Sequence, residues 1–295
     1  MLRAFKYRIY PTSEQKVLID KTLGVCRFVY NLALQTKIEA YKYNKTNLSV
    51  MDLCYQLADL KKDYYWIREV DSQALQASIK KIDKAYNKFF SGSGFPKFKS
   101  KRGNQSFQCP NNTRKINWDS STLTIPKIKD IPIVLSRKFK GEVKTVTISK
   151  TQTGKYFASI LVNTNNIKKE KKSVFSTTTL GIDLGIKDFV VTSCGIKFQA
   201  NRNLKDSLQR LKVLQRRASR KKKGSQNRKK ANLRVALLHE KVTNKRKDYI
   251  HKVTHALVHD NQVDSIVIED LNVLGMLRNR NIAQALSDVS IGDFY

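Results

Sequence analysis

One aliphatic run that carries a single acid constrains this chain more than any other stretch: Leu180-Gly181-Ile182-Asp183-Leu184-Gly185-Ile186-Lys187-Asp188-Phe189-Val190-Val191. Its apolar residues and its glycine turn predict a buried strand that presents Asp183. Burying an ionised carboxylate among Leu, Ile and Val costs roughly several kcal/mol unless a cation or hydrogen bonds offset it. The stretch therefore calls for a partner, and a divalent metal is the obvious candidate. A second β-branched run, Asp264 to Asn272, predicts Glu269 at the carboxyl end of another buried strand. Side by side, the two strands would bring Asp183 and Glu269 together. Carboxylates on adjacent strands suit two-metal phosphodiester chemistry, in which hard oxygen ligands hold Mg²⁺ or Mn²⁺ about 4 Å apart around the scissile phosphate. Read singly, each acid is equally a cap or turn residue at a strand end.

Charge points to the partner. The 295 residues hold 57 Lys and Arg against 24 Asp and Glu, a net +33, which exceeds what solubility requires and calls for a polyanion. Nucleic acid is favoured over a membrane because no apolar run of about 18 residues, signal-peptide core or lipidation motif is visible. The protein is expected to be cytosolic. Cys26, Cys54, Cys109 and Cys194 stand far apart, with no C-x-x-C pair, so neither a zinc knuckle nor a disulfide framework is indicated.

Taken in order, Leu2 to Tyr10 alternates as a half-exposed basic strand ending at Pro11. Helices follow from an N-cap at Ser13 to about Tyr43, around Val50 to Leu60, and from Ser72 to Phe90. The third of these places Lys80, Lys81, Lys84 and Lys88 on one side. Gly92 and Gly94 break it, and Lys97, Lys99, Lys101 and Arg102 follow, interleaved with Phe95, Phe98 and Phe107, a pattern suited to holding phosphates while rings stack on bases. From Ser121 the period changes to two: Leu123 to Ile125, Ile131 to Leu135, Val143 to Ile148 and Tyr156 to Val162 read as strands of a small antiparallel barrel or sandwich. The Leu2 to Tyr10 strand is expected to join it, with the helices inserted between. Asn163 to Ser176 reads as a linker.

Beyond the Asp183 strand, Phe189 to Thr192 and Ile196 to Phe198 suggest a meander. A helix from Asn203 carries Leu204, Leu208, Leu211, Leu214 and Ala218 on one stripe. It runs into the densest charge of the chain, Arg216, Arg217, Arg220, Lys221, Lys222 and Lys223, continued by Arg228, Lys229 and Lys230. A solvated helix face of that density would repel itself, so phosphate is the better partner. A further helix, Ala231 to His259, leads back to the Glu269 strand. His251, His255 and His259 share one face at metal-ligand spacing, but no cysteine lies close in sequence, His259 stands at a helix end where a cationic side chain suits the dipole, and a structural role is favoured.

Five segments together resemble a known family. FKYRIYPTSEQ from Phe5, GFPKFKSKRG from Gly94, GIDLGIKD from Gly181, LKVLQRRASRKKKGS from Leu211 and IVIEDLNVLGM from Ile266 look like the TnpB (OrfB) proteins of bacterial insertion sequences. These are traditionally described as transposases and understood as RNA-guided DNA endonucleases ancestral to the type V CRISPR effectors. The resemblance covers nearly the whole chain. It implies an α+β / α/β fold: an amino-terminal domain, 1–170, made of a basic, wedge-like β-barrel interrupted by a helical lobe at about 12–92, then a RuvC, RNase H-like nuclease domain over 177–295. Asp183 matches the first RuvC carboxylate and Glu269 the second, both catalytic and both ligands of Mg (or Mn). The implied partners are a transposon-derived guide RNA and target double-stranded DNA, engaged by a monomer or weak dimer. In the family a zinc ribbon and a third catalytic Asp follow the segment matching Ser287 to Phe294. Both are expected to be missing here, leaving the nuclease domain incomplete at its carboxyl end.

A nuclease-inactive, RNA-guided DNA-binding protein is the alternative, separable from the nuclease by metal-dependent cutting. An ATPase of the actin and sugar-kinase kind shares Gly-Ile-Asp-Leu-Gly, but Ile186 and Lys187 stand where it needs hydroxyl residues. A ribosome-type RNA binder would explain the charge and leave Asp183 and Glu269 without a purpose.

Overall fold

Strand β1 (Leu2–Ile9) buries Tyr7 and Ile9 and turns its basic residues outward, where Lys6 and Arg8 lie 4.6 and 4.9 Å from the Phe157 ring. The structure is a computed structural model describing residues 1–110, 115–164, 179–201, 203–259 and 263–294. It divides into two compact units, Met1–Lys168 and Lys169–Tyr295.

In the first unit β1 is central. It pairs antiparallel with β7 (Tyr156–Asn163) along its length and with β5 (Ile128–Val134) through Arg8↔Val134 and Ile9↔Ile133. The remaining strands are β2 (Gln105–Cys109), β3 (Lys115–Asn117), β4 (Thr122–Ile125) and β6 (Glu142–Lys150), in the order β2-β6-β7-β1-β5-β4-β3. The sheet is a curled half-barrel with β2 and β3 at its two edges, so the expected barrel is open. Neither β2 nor β3 was anticipated, because both are short and polar and β2 alternates over only five residues.

Three helices lie between β1 and β2, as the change of period from 3.6 to 2 suggests. Helix α1 (Ser13–Asn44) is capped by Thr12 rather than Ser13: the Thr12 hydroxyl accepts from the Gln15 amide and the Gln15 side chain accepts from the Thr12 amide. Helix α2 (Val50–Asp63) repeats the device with Ser49 and Asp52, and the backbone and hydroxyl bonds from Ser49 hold the Asp52 carboxyl below its usual range. Helix α3 (Ser72–Phe90), capped by Asp71, buries Ala74, Leu75, Ile79 and Ile82 at helical spacing. These residues share one continuous core with Val146, Ile148, Ala158 and Ile160 of the sheet. Burial of each large side chain contributes about 2 kcal/mol.

The second unit holds a four-stranded sheet, β10-β9-β8-β11, made of β8 (Thr179–Leu184), β9 (Asp188–Thr192), β10 (Lys197–Gln199) and β11 (Ser265–Ile268). β11 runs parallel to β8 and the other pairs are antiparallel. Helices α4 (Asn203–Ser219) and α5 (Gln226–His259) form a hairpin, and α5 begins five residues before the expected Ala231. Short helices α6 (Val273–Met276), α7 (Ala283–Val289) and α8 (Ile291–Phe294) follow. Leu180, Ile182, Leu184 and Phe189 pack with Ile250, Val253 and Leu257 of α5 and with Leu286, Val289 and Ile291. Beside this core the carboxylate of Asp288, 5% exposed, accepts from the Lys205 amide at 2.9 Å and the Arg246 guanidinium at 3.3 Å. All but the first two residues of the expected linker lie outside the described residues. Asn163 ends β7, and Thr164 is bonded to the Met1 carbonyl. Among the described residues no helix is long and apolar enough to cross a membrane.

Candidate nuclease site and nucleic-acid interface

The two acids stand at neighbouring strand ends. β11 and β8 are in register through Ile266↔Leu180 to Ile268↔Ile182, so extending the ladder by one residue sets Glu269 beside Asp183. Strand axes in a sheet are about 4.8 Å apart. The glycine after Asp183 has a structural cause: a Cβ at Gly185 would come 2.7 Å from the Asp188 carbonyl oxygen in the tight β8–β9 turn.

The expected burial of both acids is overturned. Asp183 and Glu269 are exposed, and so are Ile266 and Val267 of the supposedly buried second strand. A strand has two faces: Leu180, Ile182 and Leu184 take the core face, which puts Asp183 on the other. β11 is the edge strand of its sheet. No desolvation cost asks for a cation here. Among the described residues no group of three or more His, Cys, Asp or Glu side chains is placed to hold a metal ion. Two exposed carboxylates do fit Mg²⁺, which keeps most of its water and is commonly held by one or two carboxylates plus substrate phosphate.

The first basic segment is a built loop. Asn31 of α1 donates to the Lys99 carbonyl at 2.9 Å and accepts from the Lys99 amide at 2.7 Å. The Gln105 side-chain amide donates to the carbonyls of Ser100, Lys101 and Gly103. Lys97, Lys101 and Arg102 are exposed; Lys99 is half-buried, its ammonium 3.7 Å from the centre of the Tyr30 ring. Of the rings proposed to stack on bases, Phe95 and Phe98 are about half exposed, at 48% and 55%. Phe107 is excluded, because β2 turns it into the core opposite Ile148. Phe90, 79% exposed, was not anticipated and clusters with Phe89, Phe95 and Tyr86 at the end of α3.

A cleft of about 740 Å³ lies between α3 and the sheet. α3 lines it with Gln73, Gln76, Lys80, Lys81 and Lys84, and the strands contribute Thr145, Thr147 and Ser159. Its lining carries three ammonium groups and no carboxylate, together with amides and hydroxyls that both donate and accept, so it suits the phosphates and polar edges of a nucleic acid. The row of lysines was visible in the sequence. The sheet residues opposite were not, since nothing local marks which strand faces α3.

The second basic segment occupies the α4–α5 turn. Arg216, Arg217, Arg220, Lys221, Lys222 and Lys223 are all exposed, and Gly224 turns the chain with φ +86°. His255 and His259 stack with ring centres 4.2 Å apart and belong to no described metal group.

Residues 159–280 match a family model described as "Probable transposase", and residues 1–46 match one described as "Helix-turn-helix domain". In this structure residues 1–46 form one strand and one uninterrupted helix. A Streptomyces pristinaespiralis protein named "Putative RNA-guided DNA endonuclease" is 35% identical over 295 residues, spanning 98% of this chain and 71% of that protein. The Escherichia coli K12 "Putative RNA-guided DNA endonuclease InsQ" is 31% identical over 281 residues, spanning 94% and 68%. A "TnpB-like protein" of Acanthamoeba polyphaga mimivirus is 26% identical, spanning 94% and 56%. Among solved structures, a Cas12f1–sgRNA–target DNA complex aligns at 12% identity with a TM-score of 0.34, covering 99% of this chain and 82% of that one. On the two bacterial relatives, each matched over more than two thirds of its length, the chain belongs to the TnpB family of insertion-sequence proteins.

Proposed function

We propose that this protein is an RNA-guided, metal-dependent DNA endonuclease of TnpB type, linked to transposition and acting in the cytoplasm at the nucleoid. The observation that carries the reading is the parallel register that runs Glu269 alongside Asp183 in a chain of net charge +33 whose relatives bear the endonuclease name. In this reading the carboxyl-terminal unit is a RuvC, RNase H-like domain and the amino-terminal half-barrel with its helices is the wedge and recognition lobe. Asp183 and Glu269 hold Mg²⁺ or Mn²⁺, which when bound supplies charge stabilisation at the scissile phosphate and lowers the pKa of bound water. The chain's own part is to offer two carboxylates on one rigid edge and to bring the strand to them. Lys97, Lys99, Lys101 and Arg102 act with the α3 cleft, and Arg216 to Lys223 supply attraction to phosphate. A transposon-derived guide RNA selects the duplex DNA target.

The test is cleavage of a guide-matched duplex by the purified protein–RNA complex in Mg²⁺. Asp183→Asn and Glu269→Gln should each lower the rate by at least about a hundredfold while leaving DNA binding in place. Guide-directed binding by the parent protein with no cutting at all would establish the nuclease-inactive alternative. Failure to bind either nucleic acid would remove both.

A further inference from the structure

Lys99 stands apart from the other cations of this protein. Its backbone is pinned in both directions by Asn31, and its ammonium lies against the face of Tyr30, a ring only 5% exposed. Its neighbours are Cys26 and Tyr30 from α1 and Lys81 from α3, with Lys84 one turn further along. Lys81 also lines the α3 cleft. Burial keeps Cys26 and Tyr30 protonated beyond their ordinary ranges, so neither supplies a negative charge. Among the described residues the one acid that reaches the cluster is Asp71, which acts on Cys26 and is committed to capping α3. Among the described residues neither Lys81 nor Lys99 has a carboxylate partner. Two recessed ammonium groups side by side repel each other and have lost much of their water. An aromatic face offsets only part of that loss.

We propose that Lys81 and Lys99 form a recessed clamp for a single phosphodiester of a nucleic-acid strand entering the α3 cleft, and that Lys99 takes up a proton from solvent when the strand binds. The clamp deepens the nucleic-acid reading above by assigning it one phosphate site, and it rests on that reading. Burial, followed by the charge of Lys81, pulls the Lys99 ammonium down to about 8, and burial lowers Lys81 in the same direction. A phosphate placed between them favours the charged form of both. Arginine, with its charge fixed over the whole working range, and methionine, of similar length and neutral, then separate charge from packing.

The experiment is equilibrium binding of two fluorescein-labelled probes, a single-stranded RNA and a duplex DNA, measured by anisotropy from pH 7 to pH 9 at constant ionic strength. The parent protein should lose roughly tenfold in affinity across that range, as free Lys99 passes from charged to neutral. Lys99→Arg should bind at pH 7 like the parent and show a flatter profile. Lys99→Met should bind at pH 7 about tenfold more weakly, also with a flatter profile, and with a salt slope smaller by about 1. The probe whose affinity responds identifies the strand, RNA or DNA, that the clamp holds. If the parent binds both probes with no pH response, or if Lys99→Met matches the parent, the clamp is wrong while the wider nucleic-acid function stands. If the parent binds neither probe, that wider function fails and the clamp with it. Should Lys99→Met unfold, the profile of Lys99→Arg against the parent decides alone.

Discussion

The loop that carries Lys97, Lys99, Lys101 and Arg102 and the turn that carries Arg216 to Lys223 have comparable charge and are held in different ways. In the loop, three side chains grip the backbone, Asn31 at Lys99, Gln105 at three carbonyls and Gln152 at the Arg102 carbonyl, and Arg27 in turn holds the Gln105 side-chain oxygen. The turn is closed by bonds among its own residues and near neighbours, such as Arg220 N–H to the Arg216 carbonyl and the Arg228 guanidinium to the Lys221 carbonyl. Arg216 and Arg217 sit in the last turn of α4, where the helix dipole favours cations without any ligand. The loop gives up hydration at Lys99 to fix where that charge lies, and the turn keeps the hydration of all its cations. A fixed, partly dehydrated charge selects a position on a phosphate chain; a solvated cluster raises affinity for any polyanion and is strongly screened by salt.

The largest expected effect tests the solvated half of that contrast. Replacing Arg216, Arg217, Arg220 and Lys221 together by Ala should weaken RNA binding about a thousandfold at ~0.1 M salt and flatten the log–log salt slope by about 3. Because these side chains are exposed, thermal unfolding should move little. An unchanged slope would take the turn out of the interface. Next in size is the anchor of the hairpin that carries the turn. Asp288, on α7, accepts from the Lys205 amide in the first turn of α4 and from Arg246 on α5. Removing its carboxylate leaves Arg246, only 18% exposed and with its Nε lacking a partner among the described residues, as a poorly compensated charge. Asp288→Ala should therefore cost the carboxyl-terminal unit about 3 kcal/mol, read as a lower denaturant midpoint for that unit's transition. A loss under about 1 kcal/mol would mean that helix packing alone holds the turn in place.

Sequence patterning made much of this legible. Apolar residues at threes and fours in Ser72–Phe90 marked α3 almost to its ends, and alternation in Leu2 to Tyr10 marked β1 as a strand in need of a sheet. The neighbourhood of Asp183 and Glu269 was readable because each terminates or interrupts an apolar run. Their burial was misjudged for the same reason: an apolar run does not say how many faces of its sheet are covered, and β8 and β11 each leave the acid on an open side. Phe107 was misassigned because a ring a few residues past a basic run looks alike on a loop and on an edge strand, and only pairing with β6 distinguishes them. The opposite wall of the α3 cleft and the grip of Asn31 on Lys99 join residues distant in sequence, and no local spacing encodes such contacts.

The smallest effect tests the buried half of the contrast in the protein without nucleic acid. Lys99 titrates near 8 in the folded protein against an ordinary lysine value of 10.5. Between those values the unfolded chain holds the proton and the folded one releases it. Stability should therefore rise with pH through this window, the reverse of what a lysine paired with a carboxylate would give. Lys81 acts in the same direction. Cys26 and Cys54, and at higher pH Tyr7 and Tyr30, are raised by burial and act in the opposite direction above their ordinary values, so the measurement belongs below about pH 8.5. Because Lys99 is only partly buried, screening limits the gain to at most about 1 kcal/mol, or about 2 °C in the Tm of the amino-terminal unit. Lys99→Met should flatten the rise and leave the shares of Lys81 and Lys61, both also lowered by burial. Lys99→Arg should flatten it as well while lowering Tm slightly, since a permanent charge then sits in the same recess. A Tm that falls steadily from pH 7 to pH 8.5 in the parent would mean that Lys99 is as well solvated as the lysines of the α4–α5 turn, and the distinction between the two segments would reduce to sequence position.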